Sequence, residues 1–311
     1  MASFSTEVKN ELAHVRGREM CCIKAELLAL LRLSGYVFIK PNCALGLKFK
    51  TRHAAVARTV LSLFKKISPR LTLEILVSRS DRFKKHNQYI LKALPSDETD
   101  ELLNLLGIFR SGEYNLDGDG DLMRRACCRA AYLRGAFLGG GSVNRPDVGC
   151  HLEFVLESYQ TAVFVRDLMR RFQFPVGLTE RKENYIVYLK EGEAIIDFLT
   201  MIRAPLSAEQ MEAGRNLKEV RAQVNRLVNC ETANVAKSAD ASARQAADVR
   251  LLMRSAEWDK LPEVMRQTGE MRLKYPEAGL SELAALLFVS KSGLNHRFRK
   301  FRALAAKLFE R

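Results

Sequence analysis

The sequence predicts an α+β fold in which two repeated units of helices and strands precede an all-helical C-terminal domain. A 15-residue segment recurs after 106 residues, and the same order of apolar runs follows both copies. Residues 207–311 instead carry helical periods and no convincing strand pattern. A chain of 311 residues has the length of about two domains, and its 47% apolar content is enough for real cores.

The charge indicates an acidic partner. Fifty Lys and Arg face 36 Asp and Glu, which gives +14, so nucleic acid is the first expectation and an anionic membrane surface the second. The final segment, Phe288 to Arg311, is the most basic, with seven basic residues and one acidic residue. No run approaches the roughly 20 apolar residues of a membrane helix, and the N-terminus lacks a signal-peptide pattern. We therefore expect a cytoplasmic protein, and the expected nucleic-acid partner would make it nucleoid-associated.

The repeat is carried by two segments that begin with paired cysteines and end in glycine. Residues 21–35 read CCIKAELLALLRLSG and residues 127–141 read CCRAAYLRGAFLGGG, with five identical positions. Both segments predict apolar helices that stop at the glycine. Small residues at every fourth position (Ala131, Gly135, Gly139) would let two such helices approach closely. The alternative is two ordinary core helices that are similar by chance.

The elements that follow each helix recur in the same order. After Gly35 we predict strands at 36–39 and 45–49, a helix at 52–67, strands at 71–77 and 88–94, and a helix at 97–106. After Gly141 we predict strands at 142–143 and 151–156, a helix at 158–172, strands at 176–179 and 185–189, and a helix at 193–201. Each unit is thus αββαββα. The expected boundaries are 1–115 and 116–206 for the repeats, 207–222 for a helical linker and 223–311 for the C-terminal domain.

The cysteines do not follow a metal-binding pattern in sequence. There are seven, an odd number, with no CxxC pair and no histidine at zinc-finger spacing. We therefore expect reduced, structural cysteines, no metal and no cofactor.

The second repeat segment resembles a known motif. Residues 133–141, LRGAFLGGG, are similar to the LAGLIDADG motif of homing endonucleases. The resemblance implies that two such helices pack at a pseudo-twofold axis, with a saddle of strands that straddles DNA. The eighth motif position supplies an acidic metal ligand in that family, but here it is Ser34 in the first copy and Gly140 in the second. Because nuclease cations need anionic oxygen ligands, the resemblance implies the fold and argues against the reaction.

A basic turn in the first unit is a candidate second DNA contact. Residues 78–86 contain Arg79, Arg82, Lys84 and Lys85, whereas the equivalent turn at 180–183 is neutral. Basic side chains beside a sheet suit phosphate contacts. A solvated charged turn is the alternative.

Residues 280–301 predict a helix-turn-helix. Leu280, Leu283, Ala284 and Leu287 form the apolar side of a short helix, Ser290 is placed to N-cap the next one, and Leu294, Phe298 and Phe301 form its buried stripe. Phe288 stands where many such turns have glycine. A basic surface helix in an ordinary bundle is the alternative.

The polar side of the second helix fits a recognition helix. Asn295 can read adenine, and Lys291 or Arg299 can read guanine, while later basic residues hold phosphates. The candidate DNA-binding residues are Ser290, Lys291, Ser292, Asn295, His296, Arg297, Arg299, Lys300 and Arg302.

The degenerate LAGLIDADG pair and three separated segments together resemble the WhiA family of bacterial proteins, from about Ser3 to Phe301. The three segments are SFSTEVKNEL from residue 3, NCETAN at 229–234, and SKSGLNHRFRK at 290–300. The resemblance implies a non-enzymatic DNA-binding regulator linked to cell division and chromosome segregation, and to sporulation in some relatives. We interpret NCETAN as a helix start, capped by Asn229 or Thr232, with Asn234 and Lys237 exposed.

The expected partner is double-stranded DNA, with RNA polymerase, a sigma factor or another regulator as candidate protein partners. We expect no membrane and no small-molecule substrate. Two alternatives stay open: a protein-interaction module for which DNA contact is secondary, and an active metal-dependent nuclease, which Ser34 and Gly140 disfavour.

Overall fold

The computed structural model describes residues 3–15, 17, 19–40, 44–80, 86–110, 113–114 and 122–309. The chain forms two compact units, Met1–Lys218 and Glu219–Arg311. No helix in the described ranges is both long enough and apolar enough to cross a membrane.

The first unit contains both repeats in the predicted order. After α1 (Phe4–Leu12), the first repeat consists of α2 (Met20–Ser34), β1 (Gly35–Ile39), β2 (Leu45–Thr51), α3 (Ala54–Ile67), β3 (Leu73–Ser80), β4 (His86–Ala93) and α4 (Asp97–Leu105). A short hairpin follows, β5 (Phe109–Arg110) and β6 (Glu113–Tyr114), which the sequence patterns did not predict. The second repeat consists of α5 (Ala126–Gly140), β7 (Gly141–Val143), β8 (Leu152–Leu156), α6 (Tyr159–Arg170), β9 (Gly177–Arg181), β10 (Asn184–Leu189) and α7 (Gly192–Met201). The predicted αββαββα units are confirmed.

The two repeats form equivalent antiparallel sheets. The strand orders are β1-β2-β4-β3 and β7-β8-β10-β9, so each strand has a counterpart at the same place. The glycine that ends each motif helix pairs with a buried phenylalanine of the next strand: Gly35 with Phe49, and Gly141 with Phe154. This shared register shows that the repeat in sequence is a repeat in structure.

The two motif helices, α2 and α5, pack against each other through small residues in the core. Ala25, Ala29 and Ala131 are buried. A Cβ atom at Gly135 would lie 2.3 Å from the main-chain oxygen of Glu26, so the backbones approach too closely for any larger residue there. The contact contains a buried ion pair, in which Arg134 Nη2 donates to Glu26 Oε2 at 2.6 Å.

The second unit contains helices alone within its described residues. They are the end of α8 (Pro205–Met253), then α9 (Glu263–Lys274), α10 (Leu280–Leu286) and α11 (Lys291–Phe309). Leu283, Leu294, Phe298 and Phe301 are buried together, as predicted. The ring of Trp258 stacks on Phe301 with centroids 6.4 Å apart.

The helix start predicted at residues 229–234 is wrong. That segment and the expected linker at 207–222 both lie within the continuous 49-residue α8. No proline or glycine occurs between Gly214 and Pro262, so nothing interrupts the helical hydrogen bonds. Capping residues such as Asn and Thr mark a helix start only where the preceding chain is not helical. Asn234 and Lys237 are exposed, as expected.

Candidate nucleic-acid interface

The turn between α10 and α11 places the second helix as the sequence predicts. The hydroxyl of Ser290 accepts a hydrogen bond from the N–H of Gly293 at 3.1 Å, so Ser290 caps α11. The Ser290 carbonyl accepts from the N–H of Leu294 at 2.9 Å, which begins the helical ladder. α11 therefore begins with its most polar segment, and this end of the helix is exposed to solvent.

Phe288 occupies the turn in an unusual conformation. Its φ is +55°, in the left-handed region that glycine adopts at low cost, and its side chain is 97% exposed. The ring therefore adds nothing to the core. The turn keeps its shape through main-chain bonds, since the N–H of Val289 donates to the carbonyl of Ala284 at 3.0 Å.

Most of the candidate DNA-binding residues share the exposed side of α11. Lys291, Asn295 and Arg299 follow one another at four-residue spacing, which places them on one stripe. Ser292, His296 and Lys300 form the adjacent stripe, and Arg302 is also exposed. Asn295 is half-buried at the edge of this face. Residues 291–309 contain no acidic residue, so the charge of this side is positive. We call the seven residues named in this paragraph the basic face of α11.

Arg297 lies away from that face. It is half-buried, and its Nη1 donates to Thr268 Oγ1 on α9 at 3.0 Å. Its guanidinium therefore links two helices of the second unit. Arg302, by contrast, lies near Asp248 of α8. Burial dominates at that carboxyl and raises the pKa of Asp248, although the positive charge of Arg302 acts in the opposite direction.

The predicted basic turn of the first unit is described only at its edge. Arg79 is exposed on β3, while Arg82, Lys84 and Lys85 lie outside the described residues. Arg79 pairs with Asn87, and the strand alternation places it on the same side of the sheet as Ile75 and Leu91. Leu91 is buried on this side, whereas Ile75 on the edge strand β3 is 53% exposed.

The opposite side of the same sheet holds basic residues that the sequence analysis missed. Lys48 and Lys92 are cross-strand partners, and Lys50 lies on the same side of β2. We call these three residues the lysine face. The alternation in β2, which reads LGLKFKT with Leu47 and Phe49 buried, is the signal that could have found them.

Aromatic rings and one carboxylate accompany the lysine face. The Nζ atoms of Lys50 and Lys48 lie 5.1 and 5.6 Å from the ring centre of Tyr36. Burial alone would raise the pKa of Tyr36, but these two ammonium groups outweigh it and hold that pKa below its ordinary value. Lys92 lies 3.5 Å from Glu74. The face keeps a net positive charge.

Ser34 and Gly140, the eighth residues of the two motif segments, carry no carboxylate. Ser34 Oγ donates to the carbonyl of Gly139 at 3.0 Å, across the contact between α2 and α5. A Cβ atom at Gly140 would lie 3.1 Å from the carbonyl oxygen of Val155, so a larger side chain there would crowd the strand. Glu26 is already paired with Arg134 in the core.

Three family models match the chain in succession. They are the WhiA N-terminal LAGLIDADG-like domain at residues 20–109, the WhiA LAGLIDADG-like domain at 129–221 and the WhiA C-terminal HTH domain at 224–305. A probable cell division protein WhiA from Desulforamulus reducens is 44% identical, over 98% of this chain and 96% of the relative. The chain belongs to the WhiA family. A WhiA of the same description from Heliobacterium modesticaldum is 42% identical, over 97% of this chain and 96% of the relative.

Solved WhiA structures share the fold. The crystal structure of full-length WhiA from Thermatoga maritima superposes with a TM-score of 0.61, at 24% identity over 98% of this chain and 99% of that one. The N-terminal LAGLIDADG domain of WhiA superposes with a TM-score of 0.51, over 65% of this chain and 91% of that one. The LAGLIDADG-like architecture with a C-terminal helix-turn-helix domain is therefore that of the WhiA family.

Proposed function

We propose that this chain is a non-enzymatic, sequence-preferring DNA-binding protein of the WhiA type. It would act at the nucleoid as a transcriptional regulator in cell division and chromosome segregation. The observation that carries the proposal is the basic face of α11, which follows a capped helix-turn-helix turn and faces solvent. The names of the relatives as probable cell division proteins support the cellular role.

The arrangement of α11 suits the major groove of duplex DNA. Its first turns present Lys291, Ser292 and Asn295, which are the side-chain types that read base edges. Arg299, Lys300 and Arg302 lie in the later turns, where a recognition helix contacts the phosphate backbone. Arg297 is left out of the proposed contact because its guanidinium already bonds Thr268.

The first unit would add a second, sequence-independent contact through the lysine face. Three ammonium groups with one nearby carboxylate attract phosphates without reading bases. This contact replaces Arg79 in the proposal, since Arg79 lies on the other side of the sheet. Arg82, Lys84 and Lys85 stay candidates from sequence alone.

Hydrolysis of the bound DNA is not part of the proposal. The hydroxyl of Ser34 is engaged with Gly139, and Gly140 brings no side chain. Neither offers the anionic oxygen that a hard divalent cation requires. Supercoiled plasmid incubated with Mg²⁺ and the purified protein should stay supercoiled, and protein-dependent nicking would contradict this part of the proposal.

The DNA contact is tested by salt titration of binding to a labelled duplex. Arg299→Ala and Lys300→Ala should each weaken binding to all sequences and reduce the slope of log K against log salt by about 1. Lys237→Ala on α8 removes the same charge from an exposed site outside the basic face, and it should leave the slope unchanged. If the α11 variants bind with the slope of the wild type, the proposed contact is wrong.

An interaction module is the second candidate, and one observation favours it. Leu217, Val220, Val224 and Leu227 on α8 are each more than half exposed and recur at three- and four-residue spacing. This stripe is typical of a helix that packs against another helix. Crosslinking and pull-down from cells, with and without nuclease, separates the candidates, because partners that vanish after nuclease treatment are held by DNA.

A further inference from the structure

Four cysteines from the two repeats come together in the first unit. The Sγ atoms of Cys21, Cys22, Cys127 and Cys128 all lie within 4.8 Å of one another, and all four are free thiols. Cys127 is exposed, Cys128 is buried, and the other two are half-buried. No other group of three or more metal-ligand side chains with this spacing occurs among the described residues.

The pseudo-twofold arrangement of the fold explains this cluster. Cys21 and Cys22 are the second and third residues of α2, and Cys127 and Cys128 hold the same places in α5. Because the two helices pack against each other as equivalent elements, residues at equivalent positions meet across their contact. No metal was expected from the sequence because its cysteines form no ligand pair such as CxxC within one segment. The signal was the recurrence of a cysteine pair at the same place in each repeat.

We propose that these four thiols bind one Zn²⁺ ion, as a tetrathiolate site that ties together the first turns of α2 and α5. Four sulfur ligands in a tetrahedron are the usual coordination of structural zinc. Zn–S bonds of about 2.3 Å place the sulfurs of such a tetrahedron about 3.8 Å apart. Cys127 Sγ and Cys128 Sγ already lie 4.0 Å apart. Side-chain rotations that bring the sulfur atoms closer together by about 1 Å or less would therefore complete the site. On binding, the four thiols release four protons and the ion gains four thiolate ligands.

The first turns of two helices meet at the cluster. A zinc tetrathiolate carries a net charge of −2, and both helices direct their N-termini, the positive ends of their dipoles, at the sulfurs. Neither N-terminus has a side-chain cap among the described residues. The two helix dipoles would therefore offset part of the charge that four thiolates bring together.

The site is open to an entering ion. A cavity of about 350 Å³ reaches Cys22 and Cys127, and Arg134 and Arg203 line it as well. Hard cations such as Mg²⁺ and Ca²⁺ prefer oxygen ligands, so the sulfur set selects a softer ion. The role of the site would be structural, because a zinc ion with four protein ligands keeps no open position for substrate.

Metal analysis of the full-length, untagged protein after dialysis against a mild chelator tests the proposal. We expect about one zinc per chain, and replacement by Co²⁺ should give the visible absorption bands of tetrahedral thiolate coordination. Cys127→Ser, at the exposed position, and the double variant Cys21→Ser/Cys128→Ser should lose the metal. Cys150→Ser and Cys230→Ser change cysteines outside the cluster and should retain it.

Several results would overturn the assignment. Zinc in the wild type at the level of the double variant would do so, and so would stoichiometric iron in its place. Disulfides between the two cysteine pairs in protein purified without oxygen would instead identify a redox pair. Because the wild-type measurement needs no variant to fold, the proposal stays testable even if the double variant is unstable.

Discussion

Replacing Gly135 with alanine tests the close packing of the two motif helices. The added Cβ atom would lie 2.3 Å from the main-chain oxygen of Glu26 and 3.0 Å from the Cβ atom of Ala29. A main-chain atom within a helix cannot rotate away, so α2 and α5 would have to move apart. Overpacking of this kind typically costs about 1–3 kcal/mol, and a clash with backbone belongs to the upper part of that range.

Helix propensity favours the alanine and therefore reduces the net loss of stability. Alanine is better than glycine within a helix by about 1 kcal/mol. We therefore expect Gly135→Ala to lower the free energy of unfolding of the first unit by about 1–2 kcal/mol, which lowers Tm by roughly 2–8 °C for a unit of this size.

Gly139→Ala is the matched control on the same helix. Its Cβ atom would lie 3.2 Å from the Cβ of Leu33 and from the Oγ of Ser34, so the helices would have to shift by only a few tenths of an ångström, much less than at Gly135. Its propensity gain should leave it as stable as the wild type or slightly more stable. Thermal and urea unfolding followed by circular dichroism measure both variants. If Gly135→Ala were as stable as Gly139→Ala, the described approach of the helices would be wrong.

Three further predictions concern stability. Glu26→Leu leaves Arg134 charged and unpaired in the core and should lower the free energy of unfolding by about 3–5 kcal/mol. Glu26→Leu combined with Arg134→Met should recover most of that loss, as measured by urea unfolding. If the single and the double variant lost the same stability, the ion pair would be contradicted. Phe288→Gly should raise stability by about 0.5–1 kcal/mol, because it relieves a left-handed φ without loss of packing, and a lower Tm would contradict this. Burial lowers the pKa of Lys9 to about 8 from 10.5. Below pH 8 the ammonium is charged in both the folded and the unfolded chain, and the folded chain bears the cost of burying it. As the pH rises from 8 to 10.5 the folded chain loses its proton first, so stability rises with pH. Lys9→Met should therefore be more stable than the wild type at pH 7, by an amount on the order of 3 kcal/mol that vanishes above pH 10.5; an advantage independent of pH would contradict the assignment.

The fold was largely predictable because its local patterns agree with its packing. Apolar runs of strand length alternate with helical periods in both repeats, and Gly35 and Gly141 mark the same helix ends. The short β5–β6 hairpin was missed because strands of two residues carry no periodicity. The NCETAN segment was misinterpreted because capping residues also occur on exposed positions of long helices, where tertiary context decides.

The candidate site was predictable in part. The buried stripe of α11 follows from spacing, and so does most of its exposed side. The hydrogen bond from Arg297 to Thr268 depends on how α9 packs against α11, and no local sequence pattern shows that packing. The lysine face depends on which side of a strand is buried, and the cysteine cluster depends on a contact between segments 106 residues apart. The cysteine cluster becomes visible only when the repeat is treated as a structural symmetry, whereas the alternation in β2 is enough to indicate the lysine face.

Selection of bound sequences from a random duplex library tests the central claim most directly. The wild-type protein should enrich a defined motif, and Asn295→Ala should enrich the same motif with one position relaxed, because a single base contact has been removed. Lys237→Ala should return the wild-type motif unchanged. If no motif is enriched, or if Asn295→Ala returns the wild-type motif at every position, then α11 does not read DNA as proposed.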